Sequence, residues 1–106
     1  MANSNPNKNI WDVDSSGAYV LIDYRQGRGN LSTIHIVNQH SSNATTFDLY
    51  LDDGLGNGNS KVYIAANYSA AASAIVKLDN VSFDNDIYKL VFETSSITGP
   101  ISIIAR

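Results

Sequence analysis

The sequence predicts an all-β chain: a single-domain, two-sheet antiparallel β-sandwich, or its jelly-roll form, with an extended N-terminal arm. Three observations carry this. Ser, Thr, Asn, Asp and Gly abound while Glu, Lys, Arg and Leu are sparse, so strand and turn formers outweigh good helix formers. Apolar and polar residues alternate at period two in short runs, the mark of strands with one face on a core and one in water. Between the runs lie clusters of Gly, Asn, Asp and Ser that read as turns. At 106 residues the chain fits one domain and can bury a core.

Residues 1–9 read as an extended arm. Asn3, Asn5, Asn7 and Asn9, interrupted by Pro6, offer no apolar side chain to a core. Such a segment is expected to lie against a neighbour. Residues 10–106 form the sandwich domain. Residues 10–13 make a short strand closed by Asp14-Ser15-Ser16-Gly17, and residues 18–24 follow with Ala18, Val20, Ile22 and Tyr24 on one face. Gln26-Gly27-Arg28-Gly29-Asn30 is a loop. Residues 31–38 are a strand with Ile34 and Ile36 inward and Thr33, His35 and Val37 on the other side. After a polar turn, residues 45–52 set Phe47, Leu49 and Leu51 against Thr46, Asp48, Tyr50 and Asp52.

The glycine-rich stretch 53–60 is a hairpin tip, where glycine gives positive φ cheaply. Residues 61–66 return as a strand with Val62 and Ile64 inward, and residues 67–73 cross between sheets as a loop. Residues 74–78 are a strand, with turns expected at Asp79-Asn80 and again at Asp84-Asn85-Asp86. Residues 87–94 place Tyr88, Leu90 and Phe92 on one face. A loop at 95–99 leads to a last strand from Ile101 to the C-terminus.

Composition narrows the function classes. The net charge is −3 and no Lys/Arg cluster exists, which argues against an electrostatic grip on nucleic acid or an anionic membrane. With no cysteine, neither a disulfide scaffold nor a thiol nucleophile is expected. No signal peptide or run of about 20 apolar residues marks export or membrane insertion. His35 and His40 are the only histidines, and no nucleophile elbow, zinc pair or phosphate loop accompanies them. No enzyme activity and no cofactor are therefore expected. The acidic pairs Asp12/Asp14, Asp52/Asp53 and Asp84/Asp86 lack calcium-hand spacing and read as turn aspartates. Asn-x-Ser/Thr sequences begin at Asn30, Asn43, Asn67 and Asn80, and arise readily in a chain so rich in Asn and Ser.

Exposed aromatics are the more informative signal. Trp11, Tyr19, Tyr24, Tyr50, Tyr63, Tyr68 and Tyr88 are many for this length. Tyr50 and Tyr63 flank the glycine-rich hairpin and would form a platform if both face outward. The candidate protein-contact residues are therefore Asn3, Asn5, Pro6 and Asn7 of the arm with Trp11, Tyr50, Tyr63 and Tyr68 of the body. A glycan is the alternative occupant of such a platform.

From Leu31 onward the chain resembles small β-sandwich virion accessory proteins of tailed bacteriophages. The carrying segments are Ser32-Thr33-Ile34-His35-Ile36-Val37-Asn38, Ala44-Thr45-Thr46-Phe47-Asp48-Leu49-Tyr50-Leu51-Asp52-Asp53-Gly54 and Ala74-Ile75-Val76-Lys77-Leu78-Asp79-Asn80-Val81-Ser82-Phe83-Asp84. Where that family usually has a small-residue turn, often Pro-Ala-Gly, before the next aliphatic strand, this chain has Tyr68-Ser69-Ala70-Ala71-Ala72-Ser73. The resemblance implies a non-catalytic structural protein of the virion. It would contact other copies of itself and the major capsid or other virion proteins, in the shell or the head–neck region. A carbohydrate-binding or adhesion module of a tail or fibre is the alternative.

Overall fold

The computed structural model describes residues 2–5, 10–23, 30–54, 61–96 and 100–105. They form nine strands: Ala2–Asn5 (β1), Ile10–Val13 (β2), Gly17–Ile22 (β3), Asn30–Asn38 (β4), Thr45–Asp52 (β5), Lys61–Ala70 (β6), Ile75–Ser82 (β7), Lys89–Ser96 (β8) and Ile101–Ala105 (β9). One sheet runs β1-β2-β9-β4-β7 and the other β3-β8-β5-β6, all neighbours antiparallel.

The pairings nest. β5 pairs with β6, β4 with β7, β3 with β8 and β2 with β9, as in one long hairpin folded over on itself. Folding brings β9 beside β4 in one sheet and β8 beside β5 in the other. That is the jelly-roll winding, the second of the two forms the sequence allows. β9 is an interior strand, so the last described residues are tied into a sheet.

Alternation fills the space between the sheets. One contributes Trp11, Val13, Leu31, Ile34, Ile36, Val76, Val81, Ile101, Ile103 and Ala105; the other contributes Leu21, Ile22, Phe47, Leu49, Leu51, Ala65, Ala70, Leu90 and Phe92. Phe92 stacks on Phe47, ring centroids 5.3 Å apart, and both are essentially inaccessible to water.

Three polar residues, Asn38, Thr45 and Thr94, are buried among the described residues, and Asn38 is the most fully bonded of them. Asn38, at the end of β4, is 1% exposed. Its amide nitrogen donates to the carbonyls of Asn43 (2.9 Å), Ala70 (3.1 Å) and Ala71 (3.2 Å), and its Oδ1 accepts from the His40 amide at 3.1 Å. It thereby ties β4 to the turn at 39–44 and to the passage from β6 into β7.

Several elements differ from the sequence expectations, each for a local reason. The face containing Ala18 and Val20 does not continue to Ile22, because Val20 opposes Val91 whereas Ile22 opposes Leu90, leaving Leu21 as an extra residue. This bulge turns the strand, so Leu21 and Ile22 are both buried while Ala18 and Val20 face water. β6 runs on to Ala70 rather than stopping at Ala66. One register shift absorbs Asn67, at φ 50° with its amide donating to Asp48, and a second leaves Ile64 as an extra residue. Asp79-Asn80 is not a turn: β7 passes through it, with Asn80 taking the positive φ of 57°. Asn tolerates that conformation better than most residues. β8 similarly extends to Ser96.

The expected turn at residues 84–86 forms, with Asp84 accepting from the amides of Asp86, Ile87 and Tyr88. The described part of the arm, Ala2–Asn5, is extended and folds back on its own chain. Ala2–Asn5 pairs with β2, Ala2 opposite Val13 and Asn5 opposite Ile10. Backbone hydrogen bonds require no apolar side chains, so an asparagine-rich segment can cover an open sheet edge. Tyr24, the loop at 26–29, the hairpin tip at 55–60 and residues 97–99 lie outside the described residues.

Candidate protein-contact face

The outer face of the β3-β8-β5-β6 sheet carries one apolar row across all four strands. Val20 opposes Val91, Val91 opposes Tyr50, and Tyr50 opposes Tyr63. The two inner members are covered, Val91 at 3% and Tyr50 at 4% exposure, and the two outer members are open, Val20 at 43% and Tyr63 at 49%. Tyr50 and Tyr63 therefore share the outer face, but only Tyr63 is open to water, so the two do not make the expected exposed platform. Their ring centroids are 5.4 Å apart at an interplanar angle of 48°.

The flanking residues explain how a tyrosine on an outer face becomes buried. Lys61 reaches over the Tyr50 ring, its Nζ 4.8 Å from the centroid, while Tyr63 covers another side. The Tyr50 hydroxyl donates to Glu93 Oε1 at 2.8 Å. Burial, then the hydrogen bond and charge of Glu93, push the phenol far above the usual tyrosine range. Asp48 faces Glu93 across β5 and β8, a like-charge pair that would be unfavourable if neither carboxylate had a donor. Each has one: the Tyr50 hydroxyl for Glu93 and the Asn67 amide for Asp48. On the other side of the apolar row, Asp52 lies between Lys89 and Lys61. An aromatic stripe thus runs between an acidic row and a mixed-charge row.

The stripe continues around the edge. β6 is the last strand of its sheet, and Val62 (48%) and Tyr68 (45%) are half exposed on the side opposite Tyr63. Tyr68 is anchored by its ring against Phe47, centroids 5.5 Å apart, so an edge aromatic leans directly on the core. The register shifts in β6 make this possible by returning Ala65 and Tyr68 to positions opposite Leu49 and Phe47. Val62 opposes Leu51 as the alternation requires, yet sits too near the open edge to be buried.

The candidate contact residues thus separate. Tyr63 and Tyr68 are both exposed on β6, on opposite sides of that edge strand. Tyr50 is a support beneath Tyr63 and not itself a contact surface. Trp11 is a correction: at 5% exposure it packs inward in β2 opposite Ile103, because the short strand alternates with Trp11 and Val13 on the core side. Asn3 and Asn5 lie in β1 opposite Asp12 and Ile10, whereas Pro6 and Asn7 lie outside the described residues. Val20 and Lys61 complete the outer face, and Val62 joins Tyr68 on the other side of the β6 edge. Strand alternation could not find them, because a bulge reverses one and edge position exposes another.

The remaining candidates are occupied locally. His40 Nδ1 accepts from the amides of Ser42 (3.1 Å) and Asn43 (3.0 Å), which closes its turn. His35 lies on the outer face of the other sheet between Lys77 and Ile104. Asp12 accepts from Ser102, Asp52 from the Gly54 amide and Asp84 from the Asp86 amide. Among the described residues no group of three or more His, Cys, Asp or Glu is placed to hold a metal ion. No helix among them is long and apolar enough to cross a membrane. Comparison with family models, curated proteins and solved structures finds nothing that matches this chain.

Proposed function

We propose that this chain is a non-catalytic assembly protein of a phage virion, decorating or stabilising the capsid shell or head–neck region through protein contacts at the β5–β6 edge. The observation that carries this is the β6 edge, which pairs with no further strand among the described residues and is apolar on both sides, through Tyr63 on one and Val62 and Tyr68 on the other. Such an edge offers backbone groups for strand addition and aromatic anchors for specificity. Jelly rolls serve both viral capsid proteins and lectins, so the winding is compatible with the virion assignment but supports it only by analogy. The sequence resemblance of the segments in β4, β5 and β7 supplies the virion context.

The test is co-sedimentation of labelled protein with capsid shells and head–neck complexes of tailed phages stripped of their accessory subunits. Wild type should pellet with one of them, and Tyr63→Ala combined with Tyr68→Ala should weaken binding about thirtyfold, the scale of a lost pair of interface anchors. Wild type left in the supernatant with every assembly, or a double variant that pellets equally, removes the proposal.

The half-exposed Tyr63 ring beside Lys61 and Asp52 favours one second reading, a sugar stacked on that ring. Saturable quenching of tyrosine emission during glycan titration, abolished by Tyr63→Ala, would establish it. Trp11 emission reports folding instead, since that ring is in the core.

A further inference from the structure

The second long edge strand, β7, closes the five-stranded sheet and has a different character from β6. Ile75, Lys77 and Asp79 point outward, opposite Val37, His35 and Thr33 of β4, while Val76 is buried and Leu78 half-buried on the core side. Lys77 and Asp79 are 58% and 55% exposed and lie on one face with their charged atoms 3.9 Å apart. Ile75, at 65%, is the most exposed of the large hydrophobic residues among those described.

A lone lysine in mid-strand opposes edge-to-edge pairing, because a second copy brings its own lysine nearby. An aspartate two residues on reverses that outcome. In two identical antiparallel strands related by a two-fold axis at Leu78, Lys77 of each copy stands directly opposite Asp79 of the other. Opposed side chains there have Cβ atoms about 4.5–5.5 Å apart, within reach for two symmetric ion pairs. Leu78 meets its own copy across the axis and covers apolar surface that the single chain leaves partly open. The pairing closes at Asn80, whose positive φ of 57° bends the strand, so the ladder spans Val76 to Asn80 of each copy.

We propose that β7 pairs with β7 of a second copy about this axis, making the two five-stranded sheets continuous. The interface is isologous, as closed two-fold dimers require. This inference rests on the reading of the chain as an assembly protein and names its copy-to-copy contact, which is separate from the partner contact at β5 and β6.

Sedimentation equilibrium over a concentration series tests it, using wild type, Lys77→Asp, Asp79→Lys, and an equimolar mixture of the two variants. Wild type should dimerise reversibly. Each variant alone sets like charges opposite one another at both positions and should dissociate about tenfold more readily. The mixture should recover dimers, because one acidic edge then faces one basic edge. Circular dichroism establishes that each variant is folded, and the exchanged double variant K77D/D79K, which restores complementarity within one chain, should dimerise like wild type. A wild type that stays monomeric, single variants that dimerise undiminished, or a mixture no better than its parts would each overturn the pairing. Shell co-sedimentation on the same proteins keeps the two contacts distinguishable: shell binding without wild-type dimers overturns the β7 pairing alone.

Discussion

Replacing Asn38 by Asp changes one atom in the interior and should expose how much the fold depends on it. The side chain keeps its shape and Oδ1 can still accept from the His40 amide, but the nitrogen that donates to Asn43, Ala70 and Ala71 becomes an oxygen aimed at three carbonyl oxygens. One of the three, Ala71, also accepts from the Ala74 amide at 3.0 Å and so is not left bare. Loss of two amide protons in a buried site, at roughly 1 kcal/mol net each plus about 1–3 kcal/mol for acceptors left without donors, gives about 3–5 kcal/mol at neutral pH. That is a large part of the roughly 5–15 kcal/mol that holds a typical domain together.

The cost must also depend on pH. A protonated carboxyl supplies one O–H donor, so the folded variant favours the neutral acid and its carboxyl pKa rises above the unfolded value of about 3.9. A raised folded pKa gives stability that is full below the unfolded pKa and is lost as pH rises through the folded one. The gap between variant and wild type should therefore be small near pH 3.5 and grow towards pH 7. Urea denaturation at both pH values, followed by emission of the buried Trp11, measures it. A gap that does not change with pH, or one below about 1 kcal/mol at pH 7, would refute the donor role assigned to Asn38.

Two further substitutions probe buried polar groups with opposite expected signs. Tyr50→Phe removes the hydroxyl bonded to Glu93 and should cost about 1 kcal/mol at pH 7. Because burial and Glu93 raise the Tyr50 pKa in the fold, its contribution is full below the unfolded value of about 10 and is lost as pH rises beyond it. An absorbance titration at alkaline pH should find one late-ionising tyrosine that Tyr50→Phe removes; unchanged titration curves would contradict this. Thr45 is 2% exposed, and its Oγ1 is the buried side-chain polar atom left without a hydrogen-bond partner among the described residues. Thr45→Val should accordingly stabilise by about 1 kcal/mol, seen as a rise in Tm; a fall would mean that the hydroxyl has a partner after all.

Much of the fold was legible because strand alternation is a local property. Phe47, Leu49 and Leu51 had to share a face, as did Ile34 with Ile36 and Leu90 with Phe92, and each set is in the core. What the sequence concealed are places where one residue breaks the count. Leu21 in β3 and Ile64 in β6 are extra residues opposite unbulged partners, and the bulges depend on strand pairings distant in sequence. Asn67 and Asn80 looked like turn residues and are left-handed positions within strands, since a ladder on one side holds the chain through the bend. The site was legible to the same extent. The Tyr50–Tyr63 pairing follows from hairpin register, but the burial of Tyr50 depends on Lys61 and Glu93 closing over it, and Trp11 looked exposed only because its strand is short.

The two edges proposed for contact adjoin in sequence, and the crossing between them is what Asn38 holds. β6 ends at Ala70 and β7 begins at Ile75, and the carbonyls of Ala70 and Ala71 both accept from the Asn38 amide. The Ala74 carbonyl accepts from the Asn38 backbone, and the Ser73 amide donates to His40, so β4 and its following turn brace the crossing at each step. The direction in which β6 leaves one sheet and β7 joins the other is thereby fixed by a buried side chain that touches neither contact surface. Strand addition needs its edge in register before the partner arrives, since ordering a loose strand on binding would consume much of the interaction. A polar group is costly to bury, and hydrophobic packing alone would be simpler at Asn38. An aliphatic side chain, however, could not satisfy the carbonyls released where the chain passes from one sheet to the other. The asparagine is retained in the interior by the backbone it serves, and both edges depend on it.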